Sequence, residues 1–276
     1  MNSFFYIKEK DSGYFSPSNG SIFCDSDVVN TILHETGHAL HYYIAQEKVP
    51  SNYQEIIEKV RLNPETLIKV EEYSNKINEI KTKIIKLVEQ KYEDFFKVYY
   101  DEDKIKEIRS ILVKSKKEKK EEYKDLNIPE EQLDIILSEM YTEEEYINHQ
   151  KRIYINENVD VIMREEFGDL MAIGDILDAI YEGSLHSNNL SNMQGEKIKS
   201  TPGHGIYYYY GTKHGFDEMI ANFASLSKSN QSKKHLQLLK SIVGDEVYNM
   251  ISNFYYQNIV QLNNLVVENN KIKGGK

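Results

Sequence analysis

The sequence predicts an α+β fold that is mostly helical, with a small β-sheet beside one early helix and a long helical insertion. Three observations lead to it. Short aromatic and β-branched segments separated by turn residues precede the first helix, and helical spacing of apolar residues accounts for most of the remaining chain. The histidine pair at 34 and 38 and the segment around Glu218 flank a lysine- and glutamate-rich helical stretch.

Taken in order, Ser3 to Lys8 is aromatic and β-favouring, Asp11-Ser12-Gly13 is a turn, and Tyr14-Phe15-Ser16 is a second strand. Pro17 to Gly20 makes another turn before Ser21-Ile22-Phe23-Cys24, so a small β-meander is expected. Asp25, Ser26 and Asp27 offer N-caps to a helix whose apolar face is Val28, Val29, Ile32 and Leu33. From Ser51 onward, Ile77, Ile80, Ile84, Leu87, Val88, Tyr92, Phe95, Val98 and Tyr99 recur mostly at steps of three and four. That spacing reads as an amphipathic helix of coiled-coil type, and Lys114 to Lys124 continues it with a solvated face. Pro64 and Pro129 stand where helices start, the second running to about Met140. Another helix runs from Glu143 into 157–166, and Phe167 to Ile180 is an apolar helix with regular acids, ending near Gly183. Asp175 and Asp178 either orient ligands or face solvent. Residues 183–205 form a polar loop long enough to be functional. The expected division is a discontinuous catalytic domain, 1–50 with 160–276, interrupted by a helical, partly coiled-coil insertion at 51–159.

Composition narrows the partners. The 276 residues suffice for one large domain or two modest ones, and 44 acidic against 34 basic residues give a formal charge of −10. An acidic surface argues against nonspecific nucleic-acid binding, which depends on neutralising phosphates. A single cysteine, Cys24, excludes an internal disulfide and fits a reducing compartment. No stretch has the layout of a signal peptide or the length of a membrane span, so a soluble protein without membrane partner is expected.

His34-Glu35-Thr36-Gly37-His38 is the most informative segment. On a helix, residues four apart share a face, so His34 and His38 can offer imidazole nitrogens to one zinc ion. Glu35 lies about 100° round the same turn, where a carboxylate can deprotonate a water activated by the metal. Gly37 is costly inside a helix, by about 1 kcal/mol relative to alanine, which implies close approach of another backbone, such as a packed sheet.

Catalytic zinc takes a third protein ligand and keeps one position open. The best segment for it is Phe216 to Leu226. On a helix there, Glu218, Ala221, Asn222 and Ser225 share one face, and small Ala221 and Ser225 allow a close approach to the His34 helix. Glu218 is the expected ligand, with Asn222 bonding a ligand from behind. Asp217 and His214 are its rivals, and a solvent-facing glutamate is the bland alternative. Upstream, glycines flank His204 and a tyrosine run, Tyr207 to Tyr210, comes next. A tyrosine hydroxyl or protonated imidazole near zinc stabilises an oxyanion. Tyr210 is favoured for that role, with His204 a nearby donor, although tyrosines also serve simply to cover a core.

His34 to Tyr43 followed by Phe216 to Ala224 resembles the zinc-peptidase domain of the anthrax lethal factor type. The resemblance implies zinc ligation by His34, His38 and Glu218, Glu35 as general base, and a tyrosine before the glutamate, here Tyr210, assisting the transition state. The order of segments is also similar to the metallopeptidase-like region of phage minor head proteins. There a helix of the type Gly174 to Gly183, a loop of the type Gly203 to Tyr209 and a helix of the type Glu218 to Asn222 come after the paired histidines. These motifs touch only the two ends of the chain. Glu218 stands 180 positions after His38, far more than in lethal factor, and the inserted helices account for that gap.

The resemblances imply a zincin-like fold and leave two functions open. The first is a zinc metalloendopeptidase acting on a peptide or protein substrate, cytoplasmic and phage- or prophage-encoded, with a secreted toxin as the other location. The second is a phage or prophage head-associated structural or assembly protein whose zinc site is vestigial or only stabilising. Its helical insertion would then hold a protein partner.

Overall fold

The computed structural model describes residues 6–9, 14–18, 20–24, 29–124, 132, 142–209 and 212–274. Among these, helix predominates and a single small sheet lies near the start. The sheet consists of β1 (Tyr6–Glu9), β2 (Tyr14–Ser16) and β3 (Ser21–Cys24) in the order β1-β3-β2. This corrects the expected meander. The tight connection from Ser16 to Ser21, with Gly20 at φ 63°, turns β2 back antiparallel on β3. β1 takes the other edge of β3 and pairs with it in parallel, Tyr6 opposite Ser21. β2 is therefore an edge strand.

Seven helices are described: α1 (Val29–Tyr43), α2 (Tyr53–Arg61), α3 (Pro64–Tyr99), α4 (Glu102–Lys124), α5 (Glu143–Ile180), α6 (Thr212–Lys228) and α7 (Ser232–Gly274). Pro64 opens α3, where its fixed φ suits a first turn and no amide hydrogen is missed. The two expected helices over 143–180, labelled together as α5, meet at a kink at Phe167 (φ −124°, ψ 17°), where the second of them is expected to start from the sequence. The sequence expectations assign no element to the α7 region. This helix is interrupted at Gly244 (φ 81°, ψ 171°), and its buried Leu239, Ile242, Val243, Val247, Ile251 and Tyr255 recur at helical spacing. No described helix is long and apolar enough to cross a membrane.

The chain divides into two compact units, one of Met1–Ile80 with Met163–Lys276 and one of Lys81–Ile162. Residues 53–80, which the sequence placed in the insertion, thus fall in the first unit. There β3 puts Ile22 wholly out of solvent against Ala39 of α1, with Phe15, Ile32 and Tyr43 packed round them. Phe216, Met219, Ile220 and Phe223 of α6 are fully buried as well. Tyr53 and Phe254 set their rings edge-on to Phe216. The second unit buries Ile84, Val88, Phe96, Ile108 and Val159 and gathers Tyr92, Phe95, Phe96 and Tyr154 into one aromatic cluster. Leu87 and Val98, assigned to the apolar stripe from the sequence, are 66% and 77% exposed and lie outside this core.

Several expectations lie outside the described residues: strand residues Ser3 to Phe5, the N-caps Asp25, Ser26 and Asp27, the helix from Pro129 to Met140, and Tyr210.

Candidate metal centre

α1 and α6 build the centre, and glycine makes their contact possible. A Cβ on Gly37 would stand 2.5 Å from Ala221 Cα and 3.0 Å from Ala224 Cβ. The close backbone approach expected from Gly37 is therefore real, but a helix makes it rather than a sheet. Ala221 and Ala224 are the small residues at the crossing. Glu218 lies one turn before Ala221, so this contact delivers its carboxylate to the histidine face of α1.

Three donor groups converge there. His34 Nε2 and His38 Nε2 are 3.1 Å apart, Glu218 Oε1 is 3.4 Å from His38 Nε2, and Glu218 Oε2 is 3.6 Å from His34 Nε2. Among the described residues, this is the group whose nitrogen and carboxylate donors fit around one cation. Tetrahedral zinc with ligands at about 2.0–2.1 Å separates its donors by about 3.3 Å. The three distances bracket that edge length, and two imidazoles with one carboxylate are a donor set suited to zinc.

The surroundings fix these donor groups. Glu218, 1% exposed, accepts a hydrogen bond from the Tyr208 hydroxyl at 2.5 Å and another from Asn222 Nδ2 at 3.3 Å. Asp217, the rival ligand in the sequence, turns elsewhere: it accepts from His38 Nδ1 at 2.8 Å and bonds His41 Nδ1 at 2.7 Å. A carboxylate behind a metal-ligating imidazole sets its tautomer, directing the Nε2 lone pair at the metal. Asp217→Asn is expected to weaken zinc binding about 10- to 100-fold, read by chelator competition. Unchanged affinity would exclude this orienting role. His214, the other rival, is exposed and belongs to no donor group among the described residues.

Charge in the centre is set by burial and neighbours. Burial disfavours charge on Glu218, but the imidazoles of His38, His204 and His34 outweigh it and hold its carboxyl well below the usual range. Burial likewise opposes charge on His38, yet Glu218 and Asp217 hold its imidazole well above the usual value. His34 goes the other way, lowered to about 4 by burial. Burial pushes the Glu35 carboxyl up to about 7, with His38 opposing and Glu218 adding to the rise. A base poised near neutrality suits proton transfer.

A cleft of about 380 Å³ opens on these groups, lined also by Tyr14, Phe15, Pro17, Tyr42 and Glu47. His204 and Tyr208 complete it, their rings stacked with centroids 4.1 Å apart. His204 Nε2 lies 3.6 Å from Glu218 Oε2. In the tyrosine run, Tyr207 is 99% exposed, Tyr209 is buried, and Tyr208 reaches Glu218. Tyr208 thus reaches the centre, whereas Tyr210, favoured from the sequence, lies outside the described residues. Within a run of four like residues, spacing alone does not tell which one turns inward.

Asp178 explains how the His204 loop is held. The sequence leaves it open between solvent-facing and ligand-orienting, and it is fully buried. It accepts from the backbone amides of His186 at 2.8 Å, His204 at 3.1 Å and Gly205 at 3.2 Å. Gly183, at φ 78°, lets its backbone touch Gly205, since a Cβ there would stand 2.1 Å from Gly205 C. The glycines and acids at 174–183 and 203–205 therefore form a clamp that places His204 and Tyr208. Asp175, one turn earlier, acts electrostatically on His204. Asp178→Ala leaves three amides without their acceptor and is expected to cost about 3 kcal/mol, read as a drop in thermal midpoint. A midpoint equal to that of wild type would contradict the clamp.

Compared with protein-family models, with curated proteins and with solved structures, the chain gives no match in any of the three.

Proposed function

We propose that this chain is a zinc-dependent peptidase with a zincin-like catalytic unit. One observation carries the reading. His34, His38 and Glu218, the last two 180 positions apart, hold their donors at 3.1–3.6 Å, the spacing of three corners of a zinc tetrahedron. The cleft supplies the free side that hydrolysis needs. When bound, zinc would supply Lewis acidity, polarising a substrate carbonyl and acidifying a water. Glu35, buried beside His34 and open to the cleft, takes the proton of that water and passes it to the departing amine nitrogen. The His204 imidazole faces the same cleft and donates to the oxygen on which negative charge develops, while the Tyr208 hydroxyl, its one proton held by Glu218, steadies that carboxylate. Asp217 keeps His38 in its ligating tautomer, and Asn222 steadies Glu218.

Glu35→Gln tests the reading. Hydrolysis of a peptide library should fall about 10²- to 10⁴-fold while zinc content stays at the wild-type level. Retained turnover in this variant would reject Glu35 as the base.

A second reading, a zinc that only stabilises a head-associated structural protein, draws on one distance. His204 Nε2 comes to 3.6 Å from Glu218 Oε2, although it stands outside the group formed by His34, His38 and Glu218, and a shift toward the histidine pair would add it as a fourth ligand. In that case wild type would hydrolyse no member of the library, and His204→Ala would lower zinc affinity as strongly as His34→Ala.

A further inference from the structure

His41 is the histidine on α1 that neither the zinc ligand set nor the hydrolytic step uses. It is 1% exposed, one helical turn after His38, and enclosed by the edge-on rings of Phe216 and Phe254. Both its nitrogens are engaged. Nε2 donates to the Lys48 carbonyl at 2.9 Å, and Nδ1 bonds Asp217 Oδ1 at 2.7 Å. The His41 carbonyl also accepts from the Glu47 amide at 3.0 Å, so main chain and side chain of one residue both grip the turn after α1. That turn is unusual in its backbone, with Gln46 at φ 52° and Glu47 at φ 55°, and Glu47 walls the cleft.

We infer that His41 is a positioning residue for the metal-ligating imidazole of His38, acting through Asp217. The inference rests on the zinc reading and extends it to a residue that touches neither metal nor substrate. The Asp217 side chain is 30% exposed, so a single bond to His38 would leave its carboxylate free to rotate toward water. His41 binds the second carboxylate oxygen from a site with almost no solvent and is itself anchored on Lys48. With both oxygens held, the carboxylate plane is fixed, and with it the ring of His38. The series Lys48 carbonyl, His41, Asp217, His38 thus joins the wall of the cleft to the metal.

Two substitutions of similar shape separate this from a packing role. In His41→Asn the new amide nitrogen falls near the former Nδ1 and keeps the donor to Asp217. In His41→Gln it falls near the former Nε2 and keeps only the donor to Lys48. Zinc affinity is measured by chelator competition, and ligand geometry by the visible d–d spectrum of the cobalt(II)-loaded protein. His41→Asn is expected to stay within about 3-fold of wild type, and His41→Gln to lose about 10-fold or more with an altered spectrum. The opposite ranking, or no change in either, overturns the inference. If either variant fails to fold, the zinc-loaded wild type carries the test by NMR: slowly exchanging Nδ1 protons on both His38 and His41 support the inference, and rapid exchange at His41 overturns it. A wild type that takes up no zinc overturns the metal reading and this inference together. A wild type that binds zinc while the variants rank the other way overturns this inference alone.

Discussion

Purified wild-type protein is expected to carry close to one zinc per chain, and His34→Ala and Glu218→Ala to carry almost none. A structural zinc site binds with about 10–16 kcal/mol spread over four ligands, so removing one ligand removes about 2.5–4 kcal/mol, or roughly 10²- to 10³-fold in affinity. Elemental analysis after gel filtration against a weak chelator reads the difference directly. The two variants do not test the same thing. His34 belongs to a helix whose other ligand lies four residues away, whereas Glu218 reaches the site only because α1 and α6 cross at Gly37. Zinc lost with His34→Ala but kept with Glu218→Ala would place the third ligand elsewhere, and Asp217, already 2.8 Å from His38 Nδ1, would be the first residue to examine. Metal absent from wild type even after zinc is added back would reject the centre altogether.

The parts of this site that obey a local repeat are legible in the sequence. The helical spacing of His34 and His38 is geometry that any α-helix imposes, and Glu218 stands out because Ala221 sits on its face. The parts that escape such reading depend on contacts between distant segments. Strands of three and four residues carry too little pattern to state their order, so the parallel pairing of β1 with β3 has no signature in the sequence. Asp178 has the composition of a surface acid, and only the return of Gly203–Gly205 over it explains its burial. Tyr208 is one of four adjacent tyrosines, and its inward turn is set by the loop held on Asp178 rather than by neighbours in sequence. His41 carries a faint signal, a third histidine three residues after the second, but its partner Asp217 lies 176 positions away.

Gly37→Ala should reverse the usual sign of a helix substitution. In an exposed helix interior, alanine stabilises by about 1 kcal/mol over glycine. Here the new methyl would meet Ala221 Cα at 2.5 Å and Ala224 Cβ at 3.0 Å, and neither neighbour is a flexible side-chain end. Ordinary carbon contacts begin near roughly 3.5 Å, so the two helices must part by about 1 Å. Overpacking of this kind costs about 1–3 kcal/mol, which exceeds the propensity gain. Separation by that amount also stretches the distances from Glu218 to His34 and His38, now 3.6 and 3.4 Å, beyond what one zinc ion spans. The expected result is a metal-free protein less stable than wild type in urea, with zinc affinity lowered at least about 10-fold although no ligand has changed. Greater stability together with normal zinc binding would mean that α1 and α6 do not meet at Gly37. Because the substitution touches neither the donors nor Glu35, a loss of zinc here would tie the metal centre to the helix crossing rather than to the motif alone.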